Sequence, residues 1–377
     1  MRLLFDLVST QPNITGKRHG GGRYGEIILL RMLERGIKLG VFYDSTRWIN
    51  PEIKIACEQN HIIMHDIHLT SLENIIKTNG YTRFYSCLPG EFGMLGNCEI
   101  YGTIHGLREF ETPFDNIFYY YNISWKEKIK FTIKKMLRSS FLRYKHQQYV
   151  KRYIKSKMHL ITVSEHSRFA LLSFFPEIND ENICVFYSPN TSRNVNIERN
   201  GNIKRYFLLV SGNRWEKNNL RAIIAFDRLI TYGRLPKDIK MIVTGTNYDS
   251  FRYKVKNEKN FEFLGYVDDD ELECLYANAY LFVYPSLNEG FGYPPIEAMR
   301  YGIPVIASPL SSIAEICGGG ALYFNPFSVE EIMNRMLMMM QSNIYQEYCD
   351  KAKTQYCRIA ERQHRDLDGI IDYITKI

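Results

Sequence analysis

The sequence predicts an α/β protein built from two doubly wound, Rossmann-like domains facing a central cleft. Three observations carry the prediction. Short apolar runs alternate with stretches of helical periodicity along most of the chain. The runs are mostly apolar on both faces, as buried parallel strands are. The length, 377 residues, exceeds what one core usually serves, so two domains of roughly 150 to 200 residues each are expected.

In the first half the strand candidates are 2–8 "RLLFDLV", 37–43 "IKLGVFY", 82–87 "TRFYSC", 99–104 "EIYGTI", 158–163 "MHLITV" and 183–187 "ICVFY". The second half repeats the theme at 206–211 "YFLLVS", 239–244 "IKMIVT", 261–264 "FEFL", 280–284 "AYLFVY" and 304–308 "PVIAS". Helical periodicity fills several of the intervals, for example 23–35 "RYGEIILLRMLER". Strands alternating with helices argue for parallel sheets covered on both faces. The polar stretch 189–205 is the best linker candidate. Domain boundaries are therefore expected at 1–190 for the N-terminal domain, 191–205 for the linker and 206–345 for the second domain. The remaining 346–377 is expected to be a helical segment packing back toward the N-terminal domain. Ligands should collect where strand carboxyl ends face the cleft.

Composition is that of an ordinary globular chain, 45% hydrophobic and 24% charged, which sets no bar to a sizeable core. The eight cysteines, at 57, 87, 98, 184, 274, 317, 349 and 357, form no CxxC pair. Most sit in apolar contexts and read as buried thiols in a reducing compartment, with neither a disulfide framework nor a zinc site. The N-terminal "MRLLFDLVSTQP" has too short an apolar run for a secretory signal and fits a first strand. No stretch approaches the roughly 18 apolar residues of a membrane span. A cytoplasmic protein is expected.

The net charge of +7 is unevenly spread. From Lys126 to Lys157 twelve Lys and Arg face a single acid, Glu127, so this segment carries +11 and the rest about −4. Ile129, Ile133, Leu137 and Phe141 recur at helical steps within it. Two readings stand: a solvated helix packing one side on its own domain, or a basic amphipathic helix on an anionic membrane surface. No recognition motif accompanies the charge, which argues against a nucleic-acid partner.

The most informative stretch is 288–302, "NEGFGYPPIEAMRYG". It follows a predicted strand and holds Glu289 and Glu297 eight residues apart. Pro294 and Pro295 suit the first helical positions, and Gly302 suits the end of the helix before Pro304. A glycine loop opening a helix offers N–H groups to an anion. Two carboxylates beside an anion are costly unless they accept hydrogen bonds from neutral hydroxyls. A nucleoside diphosphate sugar supplies both, phosphates for the N–H groups and sugar hydroxyls for the acids.

This stretch resembles the E-x7-E signature of retaining GT-B glycosyltransferases of glycosyltransferase family 4. Further segments follow in the family's order: "HGGGRYGEIILLRML" (19–33), "GTIHGL" (102–107), "ITVSEHSRFAL" (161–171), "LLVSGNRWEKNNLRAIIAF" (208–226) and "FLGYVDDDELECLYANAYLFVYPS" before the signature. The likeness is strong over 206–325 and weak over 45–80 and 110–155. It implies a GT-B fold and retaining transfer of a hexose-type sugar from a nucleoside diphosphate sugar to a glycan or lipid-linked glycan acceptor. No metal or other cofactor is implied, and the setting is bacterial surface-polysaccharide assembly on the inner face of the plasma membrane.

The resemblance also implies roles for particular residues. Glu289 would contact donor-sugar hydroxyls, with backbone N–H groups of Gly290, Phe291, Gly292 and Tyr293 nearby. Glu297 would hold the ribose. Arg214 and Lys217 would neutralise the diphosphate, with Gly212 beginning their loop. Gly21 and Gly22 would admit the diphosphate, His105 would lie beside the sugar, and Val267 near the base. Departures exist: "RWEK" spaces its cations unusually, "FYSPN" replaces Asn-Gly after the strand at 185, and "EICGGGA" lacks a common acid.

Other readings of the sequence stand beside this one. A soluble disaccharide or sugar-phosphate synthase would use the same fold. "GGGRYG" could mark a nicotinamide-binding turn, though no acid clearly ends the second strand. A non-catalytic nucleotide-binding module has little reason to keep Arg214, Lys217, Glu289 and Glu297 together. Asp268-Asp269-Asp270 contains Asp-x-Asp, yet Asp270 with Glu273 reads as a capping box. His61, His65 and His68 have only Asp66 to complete a metal site and read as surface or core histidines. Ser164 reads as a helix N-cap.

Overall fold

The computed structural model describes residues 2–12, 20–121, 123–190, 205–246, 251 and 254–376. The chain forms two compact units. Unit 1 comprises Met1–Leu107, Ser140–Thr191 and Glu361–Ile377; unit 2 comprises Arg108–Ser139 and Ser192–Ala360. The linker expected at 191–205 lies almost wholly outside the described residues.

Unit 1 holds strands β1 (Leu3–Asp6), β2 (Leu39–Tyr43), β3 (Ile63–Asp66), β4 (Arg83–Ser86), β5 (Glu99–Ile104), β6 (His159–Thr162) and β7 (Ile183–Val185). They form one sheet in the order β3-β2-β1-β4-β5-β6-β7, parallel throughout. Unit 2 holds β8 (Tyr206–Leu209), β9 (Lys240–Val243), β10 (Phe261–Phe263), β11 (Leu281–Tyr284), β12 (Val305–Ala307) and β13 (Ala321–Tyr323). Their order is β10-β9-β8-β11-β12-β13, again parallel. Each order reverses direction once, between β1 and β4 and between β8 and β11, so each unit is doubly wound as predicted. Central strands such as "LLFD", "YFLL" and "LFVY" are buried at every position, which accounts for their lack of polar alternation.

All eleven predicted strands are present. The two that pattern reading missed, β3 and β13, are edge strands. Ile63 in β3 is 48% exposed, and β3 continues with His65 and Asp66, so no apolar run marks it. Helices close the layers by the usual logic: Asn219–Thr231 buries Leu220, Ile223, Ala222, Phe226 and Leu229, an i, i+3, i+4 stripe. Phe226 meets Phe207 and Phe261 with ring centroids 5.5 and 5.3 Å apart.

Two expectations need correction. The segment 108–139 does not belong with the N-terminal sheet, although a boundary at 190 was expected. Ile117 and Tyr121 enter the unit 2 core, the Leu220 N–H donates to the Tyr121 hydroxyl at 3.2 Å, and Asp115 pairs with Arg221 at 2.9 Å. Helical periodicity states that a segment is helical, and is silent on which sheet receives it. The basic stretch 126–157 is also not one helix. It comprises Trp125–Met136, Arg138–Tyr149 and a π turn, Val150–Ile154. Among its apolar residues, Ile129, Ile133 and Leu137 face solvent, and the buried one in the first helix is Phe131.

The long C-terminal helix Ser342–Thr375 contributes its last turns to unit 1. There Asp366 accepts from the Tyr187 N–H at 2.8 Å, and Asp368 and Asp372 pair with Arg31 and Arg35 at 2.9 and 2.6 Å. None of the eight cysteines forms a disulfide, and burial holds for Cys57, Cys87, Cys317 and Cys349, whereas Cys98 and Cys184 are half-buried and Cys274 and Cys357 are exposed. No helix among the described residues is long and apolar enough to cross a membrane.

Asp6, at the carboxyl end of β1, is 4% exposed. Its carboxylate accepts from Ser86 Oγ at 2.6 Å and from the Ser9 N–H at 3.2 Å. Burial outweighs these bonds and pushes the carboxyl up to about 6. The folded state therefore holds a proton that the unfolded chain releases near its ordinary value of 3.8. Stability contributed by Asp6 is present at low pH and is lost as pH rises through about 6. Thermal unfolding of Asp6→Asn against the parent should show this: the parent gains on the variant between pH 6.5 and 4.5 (about those limits), whereas parallel pH profiles would contradict it.

Candidate active site

The switch point of unit 2 lies between β8 and β11, and both strands send loops from their carboxyl ends. The first loop, 210–218, carries Arg214 and Lys217. The second, 285–292, carries Glu289. Asn218 ties them together: it sits in the left-handed region at φ 57°, a conformation Asn tolerates better than most residues, and its Nδ2 donates to the Pro285 and Pro326 carbonyls at 3.1 and 2.7 Å. The Leu287 N–H closes the clasp on the Glu216 carbonyl at 2.8 Å.

This clasp brings Lys217 against Glu289. Lys217 Nζ bonds to Glu289 Oε1, and the two residues are 6% and 8% exposed. The same oxygen accepts from Tyr284 Oη and Ser286 Oγ, each at 2.6 Å. Burial pushes the Glu289 carboxyl up, but the Lys217 ammonium and the two hydroxyls outweigh it and hold the carboxyl below its ordinary value. Burial likewise lowers Lys217, with Glu289 opposing and Arg214 and Arg108 adding to the fall.

Arg214 and Arg108 share one carboxylate oxygen, Glu216 Oε1, at 3.2 and 3.6 Å. Their side chains are 43% and 50% exposed, so both guanidiniums reach solvent beside the buried pair. Lys217, Arg108 and Arg214 thus gather around Glu216 and Glu289. Sequence reasoning named Arg214 and Lys217 and missed Arg108, which adjoins the predicted "GTIHGL" element but packs with the other sheet. It also missed Tyr284 and Ser286, although both stand in the quoted "LFVYPS".

The loop after Glu289 is held from outside. Ser311 Oγ accepts from the Glu289 N–H at 2.8 Å, and Ser312 Oγ donates to the Glu289 and Phe291 carbonyls at 3.0 and 2.9 Å. Gly292, at φ 102°, makes the sharp entry into helix Tyr293–Arg300, and Pro294 and Pro295 occupy its first turn as predicted. Gly302 ends it at φ 66°. Glu297, half-buried on this helix, hydrogen-bonds the hydroxyl of Tyr276, whose phenol burial and Glu297 together push far up. Ser211, Asn218 and Ser311 all have positive φ. Such strain, of order 1–3 kcal/mol each, gathers at functional sites.

Other predicted residues have varied surroundings. Gly212 is required by packing: a Cβ there would meet Thr246 Cβ at 2.7 Å. Val267 is half-buried in the loop after β10. In unit 1, Gly21 and Gly22 lie in the first turn of helix Gly20–Glu34 and do not form a free loop before it. A Cβ on Gly21 would press on Leu88 at 2.9 Å. His105 Nε2 donates to the Cys87 carbonyl at 2.9 Å, and its ring meets Tyr24 edge-on at 4.7 Å. Cys87 Sγ in turn donates to the Gly21 carbonyl at 3.5 Å, so Gly21, Cys87 and His105 form one group.

The predicted capping box at Asp270 and Glu273 is displaced: the cap of Asp269–Asn278 is Asp268, which accepts from the Glu271 N–H at 2.8 Å. Glu273 bonds instead to Tyr301 and pairs with Arg300 at 3.5 Å. Ser164 caps its helix as predicted, accepting from the Ser167 N–H at 3.1 Å. His65 and His68 bond to Tyr81 and Asp44, at 2.8 and 2.9 Å.

Two parallel doubly wound sheets, with paired acid and base at the switch point of the second, define a GT-B α/β protein. Residues 192–356, a little under half of the chain, match the family of glycosyl transferases group 1. It is 31% identical over 233 residues to the O-antigen chain mannosyltransferase RfbU of Salmonella typhimurium, covering 59% of this chain and 56% of that protein. It is 44% identical over 85 residues to O-antigen chain mannosyltransferase B of Escherichia coli, 22% of each. The matches thus span little more than half the length of the first relative and less of the second. Among solved structures, Anabaena Alr3699/HepE in complex with UDP and glucose superposes with a TM-score of 0.65 at 16% identity, covering 100% of both chains. That likeness is one of fold.

Breaking a buried pair by removing one partner strands the other charge, at a cost of about 3–5 kcal/mol. Lys217→Met should therefore destabilise unit 2 by that order in urea unfolding, and Lys217→Met with Glu289→Leu should recover most of the loss. Equal loss in the single and double variants would contradict the ion pair.

Proposed function

We propose that the protein is a retaining hexosyltransferase that transfers from a nucleoside diphosphate sugar to a hydroxyl of a glycan or lipid-linked glycan. The observation that carries this reading is the buried Lys217–Glu289 pair beside the solvent-facing Arg108 and Arg214, at the switch point where ligands of such sheets bind. The group 1 domain and the O-antigen mannosyltransferases among its relatives support it, and they favour mannose as the sugar and bacterial surface polysaccharide as the product. The work is assigned to the cytoplasmic face of the plasma membrane.

In this proposal, Glu289 keeps Oε1 for its protein donors and presents Oε2 to donor-sugar hydroxyls. Glu297, fixed by Tyr276, accepts from the ribose. Backbone groups of Gly290–Tyr293 serve the donor, and Val267 the base. Arg214, Lys217 and Arg108 stabilise the departing diphosphate, which makes a divalent cation unnecessary. The bond from the anomeric carbon to the diphosphate oxygen breaks while the acceptor oxygen bonds to the same face. The acceptor proton passes to a leaving phosphate oxygen. Orientation of donor and acceptor supplies much of the remaining acceleration. Gly21, Gly22 and His105 keep the substrate-recognition roles that the family resemblance implies.

A transfer assay with the mannosyl and glucosyl donors of GDP and UDP, followed by NMR of the product, tests this. The expected product keeps the donor's anomeric configuration, EDTA leaves the rate unchanged, and Arg214→Ala lowers kcat by roughly 10²–10³. Inversion, or loss of turnover in EDTA, would overturn the mechanism.

A further inference from the structure

Helix Trp125–Met136 is amphipathic in an unusual sense, because its buried contact and its apolar face are on opposite sides. At about 100° per residue, Phe131 points roughly opposite to a ridge formed by Trp125, Ile129, Ile133, Met136 and the following Leu137. Phe131 is 9% exposed and packs inward, stacked on Phe118 at 3.9 Å and edge-on to Trp215 at 5.6 Å. The ridge is open: Trp125 is 67% exposed, Ile129 48%, Ile133 50%, Met136 77% and Leu137 58%. The helix is well founded, capped by Ser124 accepting from the Glu127 N–H. Its outer face is therefore a fixed feature.

A contiguous exposed apolar ridge of this size marks an interaction surface, and its flanks say which kind. Lys126, Lys130 and Lys134 follow one edge and Lys128 the other; Glu127, the lone acid of the helix, pairs with Lys130 at 2.8 Å, and Lys135 turns back to Asn116 Oδ1 at 2.7 Å. Lysine stems bury along apolar surface while their ammonium groups stay at its rim. A protein-binding groove would have no need of positive charge along both sides, whereas an anionic bilayer takes apolar side chains below its headgroups and cations among them.

We infer that the Trp125–Leu137 ridge docks on an anionic lipid bilayer, lying in the headgroup plane with its lysines against the phosphates. This deepens the membrane setting proposed above and names its surface, which excludes most of the longer basic stretch 138–157. The ridge stands on unit 2, and the Phe118–Phe131–Trp215 contact joins it to the loop that carries Arg214 and Lys217.

Flotation of the full chain with vesicles of phosphatidylglycerol and phosphatidylethanolamine, against pure phosphatidylcholine, tests the inference. Binding is expected to the anionic vesicles only and to weaken with salt. Ile129→Ser with Ile133→Ser should reduce it by roughly tenfold or more, while Lys130→Glu with Lys134→Glu should abolish its salt dependence. Trp125 fluorescence should shift to the blue on binding, and that change should vanish in Trp125→Phe. Calorimetric titration of the same variants with nucleoside diphosphate should match the parent, showing that folding and the donor site are intact. Unchanged flotation in the Ile129→Ser/Ile133→Ser variant would overturn the assignment, as would no binding by the parent. A parent dimer that this variant converts to monomer would give the ridge to a second copy of the chain. Loss of transfer activity on a soluble acceptor would count against the enzymatic reading and leave the docking surface untouched.

Discussion

The buried pair of Lys217 and Glu289 is the constraint around which the second unit's functional loops are arranged. A charge this deeply buried is tolerable only beside its counter-charge and with its remaining bonds made. Glu289 meets that condition by gathering Lys217, Tyr284 and Ser286 on a single oxygen. Tyr284 ends β11 and Ser286 shares the loop of Glu289, whereas Lys217 comes from a loop 72 residues earlier in the chain, so the pair fixes the two loops' mutual position. Asn218, Ser311 and Ser312 complete the restraint, two of them in conformations that cost free energy by themselves. Preorganised charge of this kind is what transfer of a sugar away from a diphosphate requires, because the site need not reorganise as charge develops.

Arg108 shows how the fold enlarges the site beyond its two local loops. The chain leaves β5 in unit 1, and the segment that follows joins unit 2 through Ile117, Tyr121 and the Asp115–Arg221 pair. Glu111 accepts from Asn288 Nδ2 at 3.1 Å beside Glu289. Arg108 thereby reaches Glu216 and joins Arg214. The same segment continues into the helix whose outer face is apolar and basic. The proposed donor site and docking surface thus stand on one structural unit, which includes 108–139, a segment that a boundary at 190 assigns elsewhere.

Much of this was legible in the sequence, for reasons that differ by residue. Central strands announce themselves because burial on both faces permits only apolar residues. The helix at 293–300 was legible because proline, glycine and a strand end each constrain the backbone locally. Edge strands β3 and β13 were not, since half their surface faces solvent or they follow "GGG" without an apolar run. Glu289 and Lys217 could be named from motif and charge, but their mutual contact could not, because nothing local links the two loops. Ile129, Ile133 and Leu137 leave two readings open in the sequence, since their helical spacing suits a core-facing stripe as well as an outward one, and only the packing of Phe131 reveals that the stripe points outward. Periodicity identifies a face without identifying what covers it.

The central claim is that the cations at the β8–β11 switch point recognise a diphosphate. Isothermal titration of a matched nucleoside diphosphate and monophosphate into the parent and Arg108→Ala/Arg214→Ala tests it most directly. The account predicts that the parent prefers the diphosphate, that the preference falls steeply with salt, and that the variant loses it while binding the monophosphate nearly as before. Equal affinity of parent and variant for the diphosphate would contradict it.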